Sequence, residues 1–166
     1  MADSKENATK PRNSSLMLCH YLTPTTILIR TEKPKKEKLF QDLIFDLARV
    51  WEIPEAEKLS EALWTREKEG HTVLESGLAI PHARVSGINE IKACLGIVPE
   101  GYLDPQENIL VRIVFLFFSP QEQFSDHLQM LAQISRIFQD TKFLEHLISS
   151  KTPQEAFNLI QREERI

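Results

Sequence analysis

The chain has 166 residues, 42% apolar and 27% charged, which fits one soluble globular domain and excludes a fibrous or disordered chain. Twenty Lys and Arg stand against 24 Asp and Glu, a net charge of -4. Setting residues 1–18 aside leaves 17 basic and 22 acidic side chains, which argues against nucleic acid as a partner. Two cysteines, Cys19 and Cys94, cannot build a disulfide framework, and the longest apolar run, Ile113 to Phe118, falls far short of the about 20 residues of a membrane span.

These features read as a cytoplasmic protein with no direct membrane insertion. The run Leu16-Met17-Leu18-Cys19 does not make a lipoprotein signal, because a bulky Leu18 precedes the cysteine and the segment before it is polar. Residues 1–18 read as a flexible N-terminal tail. From Met1 to Ser15 in particular, too little apolar surface is present to offset the entropy of ordering. Residues 19–166 then form the domain.

Within it, Thr26 to Arg30 is β-branched and apolar, a short strand. A helical period starts at Pro34, with Leu39, Leu43, Leu47 and Val50 on one stripe and Phe40, Ile44 and Trp51 beside it. A second helix starts at Pro54, turns Leu59 and Leu63 to the core, and stops near Gly70. Gly77 to His82 is extended, since Pro81 bars helical dihedrals at Ile80. Lys92 to Val98 and Ile109 to Phe118 are strands, the second apolar apart from Arg112 and therefore central.

Beyond Pro120 a helix follows with Leu128, Leu131, Ile134 and Phe138 as its stripe and Met130 and Ile137 flanking it. Short helices over Lys142–Ser149 and Thr152–Gln161 close the chain. This order predicts an α/β fold: a single domain with a small mixed β-sheet flanked by helices on both faces.

Two of the five histidines occupy positions suited to chemistry. His82 follows Pro81 at a strand end among small neighbours, which leaves its imidazole reachable; on spacing alone, a solvated and idle histidine reads equally well. His127 falls in the first turn of a helix that Ser125 or Asp126 would cap, where the helix dipole favours an anion; position alone reads rather as an ordinary polar residue. As a metal pair the two lack a carboxylate or thiol at the short spacing of a zinc site. His20 and His146 read as surface residues and Cys94 as a buried apolar side chain.

Thr72 through Ala83 (TVLESGLAIPHA) and Asp126 through Phe138 (DHLQMLAQISRIF) together resemble the fructose/mannitol-type enzyme IIA domain of the bacterial sugar phosphotransferase system. The Arg66-Glu67 pair and the closing helix from Thr152 to Phe157 are also similar, so the resemblance runs from about Tyr21 to Ile160. It implies that His82 is the phosphorylated nucleophile, that His127 stabilises the phosphoryl group, and that Arg66 contacts phosphate or a partner. It also implies the histidine phosphocarrier protein as phosphoryl donor, with no cofactor and no metal. The chain departs from the family where the loop before the phosphohistidine is usually glycine-rich: here stand Val73 and Glu75, and His71 replaces a small hydroxyl residue. Glu75 either brings a carboxylate towards the site or points to water.

Two functions fit the resemblance. One is a sugar-specific component that passes the phosphoryl group to a separate IIB domain. The other is a regulatory protein, as in the nitrogen-regulatory branch, whose phosphorylation state selects a target protein. With no membrane IIC segment and no room for a fused IIB domain, the sequence favours the regulatory reading.

Overall fold

The computed structural model describes residues 16–70 and 72–165. Its centre is a five-stranded mixed sheet: β1 (Ile27–Ile29), β2 (Leu78–Ala79), β3 (His82–Val85), β4 (Lys92–Asp104) and β5 (Ile109–Pro120). The order runs β1-β4-β5-β2, and β3 also pairs with β5. Among these described strands the β4–β5 pair is antiparallel and the other pairs are parallel.

Side chains alternate across a strand, so β5 feeds two cores. Ile113, Phe115 and Phe117 join the core under α3 (Phe124–Ile137), α4 (Thr141–Ile148) and α5 (Pro153–Glu164). Val114, Leu116 and Phe118 join the one under α1 (Lys36–Val50) and α2 (Ala56–Glu69). Every one of these six is essentially inaccessible to solvent, as a central strand covered on both faces requires. On β4, Gly96 lets α1 settle onto the sheet: a Cβ there would stand 3.2 Å from a Leu43 methyl. The predicted α/β architecture with helices on both faces is the one observed.

Element ends differ in instructive ways. α1 begins at Lys36, leaving Pro34 before the helix instead of in its first turn, and α2 begins at Ala56, two residues after Pro54. The extended stretch from Gly77 is two strands parted by Ile80-Pro81, and both run parallel to β5. β4 continues beyond Val98 and Pro99 to Asp104, across a register shift between Ile97 and Tyr102. There Gly101 takes φ +67°, and a Cβ on it would meet the Val111 carbonyl at 2.7 Å.

The stripe expected on α3 holds at Ile134 and Phe138, with Leu131 packed against the core, but is rotated at its start. His127, Met130, Ile134 and Ile137 are buried, whereas Leu128 faces outward. α4 and α5 are capped by the side chains of Asp140 and Thr152, which accept from the N–H groups of Lys142 and Glu155. The boundary of the body also moves. Leu18, assigned to the tail, is fully buried, and its N–H donates to Glu164 Oε2 at 2.6 Å. The rest of the predicted tail, residues 1–15, lies outside the described residues. Among the described residues no helix is long and apolar enough to cross a membrane.

Candidate active site

His82 opens β3, and its register partner across the sheet is Phe117, which fixes the face it occupies. The rings of His82 and Phe117 stack with centroids 5.4 Å apart and an 11° interplanar angle. On the same face, α3 brings His127 to 5.2 Å from His82, centroid to centroid, and to 5.3 Å from Phe117. Both histidines are largely buried, 6% and 7% exposed. Residues 45 apart in sequence thus form one three-ring cluster.

Each imidazole has one nitrogen engaged. His82 Nδ1 lies 2.6 Å from the Ile80 carbonyl oxygen, which can only accept, so Nδ1 carries the proton and the neutral ring keeps its lone pair on Nε2. The Ile80 carbonyl is itself held, because the Ile80 N–H donates to Thr72 O and the Phe117 N–H donates to Pro81 O. Pro81 therefore does more than end a strand: with Ile80 it makes the break that returns a carbonyl to the ring. His127 Nδ1 is hydrogen-bonded to the hydroxyl of Ser119, a fully buried residue.

Both rings are neutral near pH 7. Burial pulls His82 below the usual histidine value, partly offset by its bond to Ile80 and reinforced by the Arg66 guanidinium. His127 is pushed down to about 4, first by burial, then by the charges of His82, Arg84 and Arg66. Arg66, on the last turn of α2, donates to the Gly70 carbonyl oxygen, and its charge reaches both histidines.

One expectation changes here, and one alternative is decided. Neither Ser125 nor Asp126 is the cap of α3; Gln123 holds that position, and the His127 N–H already donates to the Gln123 carbonyl oxygen. His127 thus offers its ring and not its backbone. Glu75 is exposed in the turn between Leu74 and Gly77 and is not among the charges acting on either histidine. Val73 pairs with Ala79 and packs against the α1–α2 core. His71 lies outside the described residues.

Sequence reasoning missed Ser119 and Arg84. A signal existed for both: Ser119 is two residues beyond Phe117 and Arg84 two beyond His82, so the period of two puts them on the histidine face. Among the described residues no group of three or more His, Cys, Asp or Glu comes together as metal ligands.

A small α/β domain with two buried, neutral histidines side by side matches one family along most of its length. The model of the family described as "Phosphoenolpyruvate-dependent sugar phosphotransferase system, EIIA 2" matches residues 20–163, and the chain belongs to this family. Among curated relatives, a nitrogen regulatory protein of Pseudomonas aeruginosa is 29% identical over 142 residues, 84% of this chain and 91% of the relative. The fructose-specific EIIABC component of Bacillus subtilis is 21% identical over 90% of this chain but only 24% of its own length.

Among solved structures, the nitrogen regulatory protein IIA-Ntr of Neisseria meningitidis superimposes with a TM-score of 0.77 at 24% identity, covering 86% of this chain and 98% of that one. The Escherichia coli complex of mannitol enzyme IIA with phosphorylated enzyme IIB gives 0.66 at 20% identity, covering 85% and 97%. Both support the fold. Nitrogen-regulatory and sugar-specific enzyme IIA proteins are thus both its relatives.

Proposed function

We propose that the chain is a histidine phosphocarrier that accepts a phosphoryl group on His82 from the histidine phosphocarrier protein and acts in the cytoplasm as a regulatory enzyme IIA. The observation that carries this reading is the bond from His82 Nδ1 to the Ile80 carbonyl oxygen, which leaves Nε2 as the nucleophilic atom. In the transfer, the Nε2 lone pair forms the new N–P bond as the donor's P–N bond breaks. The electron pair of that bond leaves with the donor nitrogen, and the Nδ1 proton stays against Ile80.

His127 holds oxygens. With the Ser119 hydroxyl donating to its Nδ1, its proton sits on Nε2 and is available to a phosphoryl oxygen. The arriving group brings roughly -1.5 to -2 charges, which favours protonation of His127 and strengthens that contact. Arg66 adds a positive charge without acid–base chemistry.

The nitrogen-regulatory relative, matched over 91% of its length, favours a regulatory role, with a target protein that distinguishes the two phosphorylation states. The second reading, delivery to a separate sugar-specific IIB domain, draws on the likeness to an enzyme IIA solved in complex with phosphorylated IIB.

Incubation with phosphoenolpyruvate, enzyme I and the phosphocarrier protein should place acid-labile phosphate on the protein, and His82→Ala should abolish it. Equal labelling of His82→Ala would overturn the assignment. Passage of the label to an isolated IIB domain would favour sugar transport over regulation.

A further inference from the structure

Arg84 has no part in the reading above. It lies on β3 two residues beyond His82, paired in register with Ser119, the partner of His127. Its guanidinium sits 5.1 Å from the centroid of Phe124, the first residue of α3, so the side chain is drawn toward the helix that carries His127.

The other partly exposed arginines near the sheet are neutralised: Arg30 by Asp42 at 2.6 Å, and Arg112 by Glu145 at 3.3 Å. Among the described residues no carboxylate pairs with Arg84 or with Arg66. The two line one open hollow of about 560 Å³ together with Lys58, Glu61, Thr65, Glu69 and Gln121, beside the histidine pair and not including it. Glu61 and Glu69 share the hollow but form no ion pair with either arginine, so among the described residues both guanidinium groups keep donors for a phosphoryl oxygen.

We propose that Arg84 is the second guanidinium of the phosphoryl site, acting from β3 while Arg66 acts from α2. The influence of Arg84 on His127, ahead of that of Arg66, is consistent with this placement. Because Arg84 is exposed, it neutralises charge at the rim of the site, where a partner bearing a phosphoryl group must approach. The Phe124 ring holds the guanidinium by its face without consuming hydrogen-bond donors, leaving them for phosphoryl oxygens.

The inference rests on His82 being the phosphoacceptor, and the test separates the two. Phosphoramidate serves as a small chemical donor, so no partner protein enters. Wild type, Arg84→Gln, Arg84→Lys and His82→Ala are each treated with it, and the ³¹P shift of the phosphohistidine is followed against pH at low salt. Loss of the Arg84 charge should raise the midpoint of the phosphoryl titration by about 0.3–0.5 pH unit, while Arg84→Lys should stay near wild type. The difference should shrink in high salt.

An unchanged midpoint in Arg84→Gln, with wild type labelled on His82, would overturn the role of Arg84 alone. A midpoint in Arg84→Lys equal to that of Arg84→Gln would also overturn it, since stacking on Phe124 and not charge would then be responsible. Labelling of His82→Ala equal to wild type would remove both the inference and the phosphocarrier assignment beneath it.

Discussion

The two faces of the sheet are built from the same strands and do different work. Toward α1 and α2, β5 presents Val114, Leu116 and Phe118, and the cover is Leu39, Phe40, Leu43 and Leu47. Toward α3, the alternate positions of the same strand present Phe115, Phe117 and Ser119, and here the cover includes His127, Gln133 and, from α5, Glu164. The buried polar residue of β5, Ser119, thus lies on the parity that faces the histidines, whereas the buried positions of the other parity, Val114, Leu116 and Phe118, are all apolar. A one-residue slip in register would exchange the two faces, so the apolar face fixes where the histidines stand.

Truncating one residue on each face separates these roles. Phe118→Ala and Phe117→Ala each empty a fully buried site and should cost roughly 3–5 kcal/mol of stability. Only Phe117→Ala also removes the ring on which His82 stacks, so phosphorylation of the folded protein should slow in Phe117→Ala and not in Phe118→Ala. Urea melts paired with labelling rates under native conditions would check this; equal rates in the two variants would dissolve the distinction between the faces.

A smaller effect is expected at His127→Ala. It removes one charge-assisted hydrogen bond to the phosphoryl group, about 1.5–3 kcal/mol, or about 10- to 150-fold in transfer rate if the bond acts only in the transition state. It also leaves the buried Ser119 hydroxyl without its ring partner, so a modest fall in melting temperature should accompany it. Rapid-quench transfer assays and a thermal melt measure the two separately.

The smallest effect is the pH response of the histidine face. His82 and His127 are both depressed in the folded protein, the latter to about 4. In this direction the unfolded chain binds more protons than the folded one. Stability is therefore complete above the unfolded histidine value near 6.5 and falls as pH drops from there toward 4, by roughly 1–3 kcal/mol at His127. Removing both imidazoles in a His82→Ala/His127→Ala variant should flatten that window in denaturant melts collected from pH 7 to pH 4.5.

The sequence made much of this architecture legible because its strongest signals are periodic. The apolar run from Ile113 to Phe118 could only be a central strand, and Leu39, Leu43 and Leu47 could only be one face of a helix. The pairing of His82 with His127 came from resemblance, since nothing in spacing joins residues 45 apart; strand register and the placing of α3 do that. What stayed hidden depended on tertiary context. Pro99 signals a strand end, but the register shift and Gly101 carry β4 past it. Leu128 matches a helical stripe, yet α3 is rotated so that His127 takes the buried place. Arg84 looks like any exposed strand residue until its contact with Phe124, on the helix that carries His127, is seen.

The carboxylate of Glu164 has a consequence for how the protein is made. It accepts the N–H groups of Leu18 and Cys19 and the side-chain amide of Gln133, a contact that spans 146 residues in its longest arm. During translation the segment around Leu18 leaves the ribosome well before α5, and its N–H groups find this acceptor only after α5 has been synthesised and released. The central sheet can pair earlier, since β1, β4 and β5 are complete by Pro120. This closure therefore waits for α5, and a chain stalled before Glu164 would expose Leu18 as a handle for chaperones or proteases.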